Sequence, residues 1–167
     1  MIKDNILKLD YLTSRLTRLA KNQKSELKRE WIDWHIVIDE SLARNQEDRI
    51  EVHVEYDIKA AFYTDLFRLS IIVNNLISNA YHFQDYSKSD NWVQITVEVT
   101  KDSCTFEVKD NGIGIDADQQ DRIFDLFYRG SLSSKGSGLG LYMVKNSVQI
   151  LKGDINVKCT PGEGACF

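Results

Sequence analysis

NNLISNA at Asn74–Ala80, DNGIGI at Asp110–Ile115 and GSGLGL at Gly136–Leu141 are the stretches whose reading decides the fold. The first lies inside an apolar run with helical spacing, the second directly follows an alternating strand-like run, and the third opens another helical run. Each alone also fits ordinary structure: side-chain amides capping backbone, an Asp-Asn-Gly turn, a Ser/Gly surface loop. Their fixed order is more restrictive, because it sets two glycine loops and an amide-bearing helix around one sheet.

Working outward, Asp65 is placed to start a helix that runs to about Phe83. On a wheel of about 100° per residue, Leu69, Val73, Leu76, Ile77, Ala80 and Phe83 form an apolar face. Arg68, Asn75, Asn79 and His82 form a separate polar stripe within roughly 60°. Two amides and an imidazole are unusual on a solvated face. Amides are costly to bury unpartnered and serve as neutral ligands for a hard cation. Strands are predicted at Ile50–Tyr56, Val93–Val99 and Cys104–Val108, the last two joined by a tight turn at Lys101-Asp102. A short apolar piece, Ala60–Tyr63, is expected to pair with the first of them. Asp33 is the expected N-cap of a helix to about Arg44; further helices are expected over Asp116–Phe124 and Leu139–Leu151. Strands at Asp154–Lys158 and Ala165–Phe167 flank a turn at Thr160-Pro161-Gly162. Antiparallel hairpins interleaved with helices give an α+β class, a two-layer sandwich with a mixed sheet and helices on one face.

The loops suggest chemistry. Asp110, at a strand end, offers a carboxylate acceptor that suits the exocyclic amine of adenine, and the glycines after it let backbone approach a ligand closely. Gly136-Ser137-Gly138-Leu139-Gly140 opens a helix whose free amides and dipole favour an anion, with Arg129 and Lys135 flanking it.

Composition bounds the rest. The 167 residues are 43% hydrophobic and 28% charged, which fits one soluble domain with a short appendage. Met1–Glu30 contains no Pro or Gly and reads as one long helix, with Ile2, Ile6, Leu9, Leu12, Leu16, Leu19 and Leu27 on a stripe that calls for a partner helix or a dimer. That segment holds eight Lys/Arg against four Asp/Glu, and the remainder thirteen against twenty-one, so the two parts carry +4 and −8. An acidic domain of this kind gives no footing for a nucleic-acid role. Cys104, Cys159 and Cys166 lack CxxC spacing and read as reduced thiols of a cytoplasmic compartment. No apolar run is long enough to span a bilayer, so any membrane anchor of a parent protein would lie outside this chain.

Taken together, these blocks resemble the catalytic ATP-binding domain of bacterial sensor histidine kinases, within the superfamily that shares the Bergerat ATP-binding fold. Asp65, Arg68, Leu69, Asn75, Leu76, Asn79 and Ala80 match the family's helix pattern DxxRLxQVLxNLLxNAxKY. DNGIGI matches its first glycine box, IFDLFYRG at Ile123–Gly130 its phenylalanine box, GSGLGL its second glycine box, and GEGACF its closing strand. The resemblance covers roughly 33–167 and implies two parts: a helical segment over 1–30 similar to the second dimerisation helix, and a catalytic domain over 31–167. It implies ATP and Mg²⁺ as ligands, with Asn79 on the metal and Asn75 assisting, the two residues closest to the chemistry. Asp110 would receive the adenine amino group, with Gly112, Gly114 and Ile115 shaping that wall. Phe124 and Phe127 would anchor a lid; Gly136, Ser137, Gly138, Leu139 and Gly140 would fold it over the phosphates, with Arg129, Lys135 and His82 also contacting ATP. His82 stands where the family has a lysine, implying a weaker or pH-dependent phosphate contact, and Ile71 replaces a frequent glutamine. The partners implied are a dimerisation and phosphoacceptor-histidine domain, a response regulator and, in full length, a second copy. The parent would be anchored in the inner membrane.

Three readings follow. The first is phosphoryl transfer from ATP to a histidine, for which none of His35, His53 and His82 has the family's acceptor context (SHELRTP), so the acceptor lies outside this chain. The second is ATP hydrolysis, where relatives carry a water-activating glutamate four residues before the metal-binding Asn. Here that position is Asn75, and an amide is no general base at neutral pH. The third is a non-catalytic nucleotide-sensing module that dimerises through its helix.

Overall fold

The computed structural model describes residues 13–14, 17, 19–45, 47–130 and 137–167. Its spine is β4 (Asn91–Val99), whose Val93, Ile95, Val97 and Val99 are fully buried and alternate with more exposed polar residues. On one side β4 pairs in parallel with β2 (Ile50–Ile58), Ile50 facing Asn91 and Ile58 facing Val99. On the other it pairs antiparallel with β5 (Cys104–Asp110), through a tight turn in which the Thr100 N–H donates to the Ser103 carbonyl at 2.9 Å. Short strands β6 (Lys158–Thr160) and β7 (Gly164–Cys166) complete a five-stranded sheet in the order β2-β4-β5-β7-β6. The mixed α+β architecture is thus as expected.

Parallel pairing of β2 and β4 requires a crossover, and α2 (Leu66–His82) provides it. Asp65 caps α2 by accepting from the Arg68 N–H at 2.9 Å. Leu69, Val73, Leu76, Ile77 and Ala80 are buried in the core that α2 shares with the sheet. α3 (Gly140–Ile150) packs beside α2 and buries Met143 and Val144. α1 (Trp34–Ala43) starts at Asp33, which accepts from the N–H groups of His35 and Ile36 as the sequence predicts. Its Trp34 stacks with Phe62 and with Phe106, at ring-centroid distances of 5.9 and 5.6 Å.

Four expectations need correction. The first helix does not run to Glu30: residues 19–24 are helical, then the chain turns at Ser25 and extends into β1 (Arg29–Trp31), leaving Leu27 off the helix. The earlier part of the apolar stripe (Ile2, Ile6, Leu9, Leu12, Leu16) lies outside the described residues. Residues 60–63 do not pair with β2; instead β3 (Tyr63–Asp65) pairs antiparallel with β1. Asp116–Phe124 is a series of turns rather than a helix. Most of its backbone bonds reach back three residues, as from Gln119 N–H to Asp116 and Arg122 N–H to Gln119. The strand expected at Asp154–Lys158 begins only at Lys158.

A buried polar junction ties the N-terminal segment to α2 and α3. The Arg68 guanidinium, 1% exposed, donates to Asp65 Oδ2 at 2.9 Å and to the carbonyls of Asn22 and Ser25, both at 2.7 Å. Asn22 Nδ2 donates to Asn146 Oδ1 and Ser147 Oγ on α3. Burial alone would raise the Asp65 carboxyl; the N–H groups of Lys28 and Arg68 and the guanidinium outweigh it and hold it below the usual carboxylate range.

Candidate functional site

The C-terminal half of α2, the loop after β5, the start of α3 and the end of the sheet enclose a cavity of about 590 Å³. From α2 come Asn75, Asn79 and His82, the polar stripe of the wheel, together with Ser78. Arg68 shares the stripe but not the cavity: it lies at the other end of the helix, in the junction just described. Antiparallel register sets Asp110 opposite Val93 at the end of β5, 6% exposed and lining the cavity. Its Oδ1 accepts from the Gly112 N–H at 2.8 Å and the Ala165 N–H at 3.3 Å. Burial pushes its pKa up to about 6, against the pull of those two N–H groups and of Lys88. The carboxyl is therefore ionised at neutral pH but close to its titration.

The DNGIGI loop is held on three sides. Asn111 Oδ1 accepts from the Trp92 N–H, the Ile113 N–H donates to the Phe83 carbonyl at 2.9 Å, and the Gly162 N–H donates to the Ile113 carbonyl at 2.8 Å. Gly114 sits at φ +70° with its α-carbon so close to β6 that a Cβ would stand 2.0 Å from the Thr160 carbonyl oxygen, so only glycine fits. Lys88 Nζ donates to the carbonyls of Asn111, Gly112 and Gly162.

On the opposite side α3 begins at Gly140, and Leu139 before it supplies no side-chain cap. The first turn of α3 receives no bond from the Leu139 side chain and lines the cavity through Gly140 and Leu141, and a helix N-terminus is a favourable place for an anion. A Cβ at Gly140 would lie 3.1 Å from Asn75 Oδ1, so this helix start and the amide stripe of α2 nearly touch. The described ends of the intervening loop are joined where the Phe127 N–H donates to the Gly138 carbonyl at 3.1 Å.

Of the residues singled out in the sequence, Asn75, Asn79, His82, Asp110, Gly114, Ile115, Arg129, Ser137, Gly138 and Gly140 line this one cavity. Gly112, Phe124, Phe127 and Leu139 do not: Gly112 braces Asp110 from behind, Phe124 meets Phe167 edge-on at 6.5 Å, Phe127 is 55% exposed, and Leu139 is fully buried. Lys135 and Gly136 lie outside the described residues. Sequence reading missed Phe83, Ile113, Asp116, Gln119, Tyr128 and Phe167, among others. Ile113 could have been taken from inside its glycine loop. Asp116 and Gln119 were hidden by the helical reading of a turn segment. Among the described residues no helix is long and apolar enough to cross a membrane.

Comparisons with known proteins show the family and the fold. The family description "Histidine kinase-, DNA gyrase B-, and HSP90-like ATPase" matches residues 64–167. The autoinducer 2 sensor kinase/phosphatase LuxQ of Vibrio vulnificus is 33% identical over 136 residues, covering 75% of this chain and 15% of the relative. The sensor histidine kinase RcsC of Escherichia coli is 32% identical over 118 residues, covering 68% and 12%. The chain therefore spans only about 15% of the length of the curated relatives it matches. Among solved structures, the mycobacterial sensor histidine kinase MprB superposes with a TM-score of 0.69 at 26% identity, covering 83% of this chain and 93% of that one. The Acinetobacter baumannii histidine kinase AdeS shares the fold with a TM-score of 0.76 at 22% identity, covering 98% and 78%. The family match takes in every residue that lines the cavity, and the chain belongs to the histidine kinase-, DNA gyrase B- and HSP90-like ATPases.

Proposed function

We propose that this chain is the catalytic module of a two-component sensor histidine kinase, which binds ATP with Mg²⁺ and passes the γ-phosphoryl group to a histidine outside the chain. The observation that carries the reading is the convergence, in one cavity, of the amide stripe of α2, the Asp110 carboxylate and the N-terminal turn of α3. The cavity volume lies within the roughly 300–1,000 Å³ of ordinary ligand pockets. Asp110 accepts the adenine amino group, its orientation fixed by the Gly112 and Ala165 N–H groups. The phosphates run toward Ser137, Gly138 and the first amides of α3, with the Arg129 guanidinium and the His82 ring also on the lining.

The donor set also fits Mg²⁺. Among the described residues no three His, Cys, Asp or Glu side chains form a metal cluster. The cation would rest on the amide oxygens of Asn79 and Asn75 and on phosphate oxygens, which suits an ion that is usually held partly by its substrate. Bound there, it would neutralise phosphate charge during transfer. The protein's own part is positioning, together with the helix dipole and lid cations. Asn75 stands where hydrolysing relatives need a base, so transfer is favoured over hydrolysis.

In this reading residues 31–167 form the module, and the helix before it leads toward a dimerisation and phosphoacceptor domain of a cytoplasmic-facing, membrane-anchored parent that signals to a response regulator. Mixing the chain with a hairpin bearing the acceptor histidine and labelled ATP–Mg²⁺ should yield phosphohistidine. Nucleotide binding without any transfer would overturn the kinase reading in favour of a sensing module.

A further inference from the structure

Lys88 belongs to none of the blocks that marked the site, and it does not line the cavity. It sits in the loop between α2 and β4, in a tight turn. The Lys88 N–H donates to the Asp85 carbonyl at 3.0 Å, Asp85 Oδ1 accepts from both the N–H and the hydroxyl of Ser87, and the Tyr86 hydroxyl meets the Glu47 carboxylate at 3.1 Å. From this turn the half-buried ammonium reaches three carbonyls: those of Asn111 and Gly112 on the loop after β5, and that of Gly162 on the β6–β7 turn at 2.7 Å. An ammonium has three donors, and all three are used.

The two turns it joins are the two that make the Asp110 wall. One carries Asn111 and Gly112, and the Gly112 N–H holds the Asp110 carboxylate. The other leads into β7, whose Ala165 N–H holds the same oxygen. We propose that Lys88 is the positioning residue of the nucleotide site: by binding carbonyls of both turns at once it fixes the wall that presents Asp110 to the base. This rests on the nucleotide-binding reading above and adds to it a residue that selects for adenine without touching it. A charge-assisted bond to a carbonyl is stronger than a neutral one, so removing the ammonium loosens both turns together.

Lys88 also contributes positive charge beside Asp110, which draws the carboxyl downward. Cys159 of β6 also feels the charge of that carboxyl, and His82, Asp116 and Arg129 lie elsewhere on the lining of the same cavity. Loss of Lys88 leaves these in place and moves the acid limit of binding upward.

Isothermal titration of the whole chain with ATP–Mg²⁺, ADP–Mg²⁺ and GTP–Mg²⁺ tests this, using the wild type, Lys88→Met, Lys88→Gln and Lys88→Arg. Met and Gln should weaken ATP and ADP by the same factor, about tenfold, because the two share the base. The preference for ATP over GTP should narrow, the acid limb near pH 6 should shift upward, and Arg should restore most of the affinity. A purely structural staple would lower the folded fraction and leave preference and acid limb unchanged; that result overturns the proposal. If Lys88→Met does not fold, Lys88→Gln at wild-type affinity overturns it equally. Wild-type protein that binds no nucleotide removes the function reading and this proposal together, whereas wild-type binding with unaltered variants removes only the role of Lys88.

Discussion

Asp110 carries two opposing demands. In its proposed role as acceptor for a base amine it must be ionised, yet it is buried enough that its pKa lies near 6. The folded state therefore holds its proton more tightly than the unfolded chain does. Its stabilising contribution is full below about pH 3.8 and is lost as pH rises through about 6. Asp110→Asn keeps an oxygen for the Gly112 and Ala165 N–H groups and removes the charge. It should abolish ATP–Mg²⁺ binding by titration and, at pH 7.5, stabilise the apo fold by about 1–3 kcal/mol in urea unfolding. The same comparison below pH 4 should show no gain, and an equal gain at both pH values would refute the assignment. DNGIGI was legible because its chemistry is local: strand end, turn and carboxylate are adjacent in sequence. Lys88 was not legible, since a lysine in a polar loop reads as solvated until the folded turns bring three carbonyls to it.

Elements were legible in proportion to their periodicity. β2, α2, β4, β5 and α3 all show sustained alternation or helical spacing and were found close to their true limits. β1 was missed because all three of its residues are exposed, so its sequence carries no alternation, and its pairing with β3 depends on where the chain turns after Ser25. The turn segment at 116–128 shows helical apolar spacing but makes mostly three-residue turns and passes through φ +63° at Phe127, which no helix accommodates. Arg68 was correctly set on the polar stripe of α2 but belongs to the junction that fixes the helix start. Arg68→Met would leave the buried Asp65 carboxylate with only its backbone donors, the N–H groups of residues 28 and 68, and leave the carbonyls of Asn22 and Ser25 without their guanidinium donor. We expect a loss of about 3–5 kcal/mol in denaturant unfolding at pH 7. The backbone N–H groups of Lys28 and Arg68 and, after them, the guanidinium hold the folded Asp65 pKa low, so the guanidinium's share is present above the ordinary carboxylate pKa and fades as pH falls through the folded value. A loss under about 1 kcal/mol at pH 7 would show the ion pair to be dispensable.

The whole molecule couples its stability to its ligand. ATP–Mg²⁺ at about a hundred times its dissociation constant should add about 2.7 kcal/mol. For a domain of this size that raises the thermal midpoint by roughly 5–11 °C in a scanning fluorescence melt. GTP–Mg²⁺ at the same concentration should raise it less. A midpoint that no nucleotide moves would contradict a preformed site. The sheet that frames this site has one further consequence, in the time course of synthesis. β4 finds β2 already made and then receives β5 within a few residues, but β5 waits more than fifty residues for β7. Ala165, which holds Asp110, and Phe167, which exchanges backbone bonds of 3.1 and 3.0 Å with Val108, are both made more than fifty residues after β5. On a ribosome adding about 5–20 residues per second, α2 and the central strands can begin to pack for seconds before β7 exists to hold Asp110. The nascent chain therefore has a hydrophobic core before it can hold a nucleotide, and ATP can reward only a molecule whose sheet has closed.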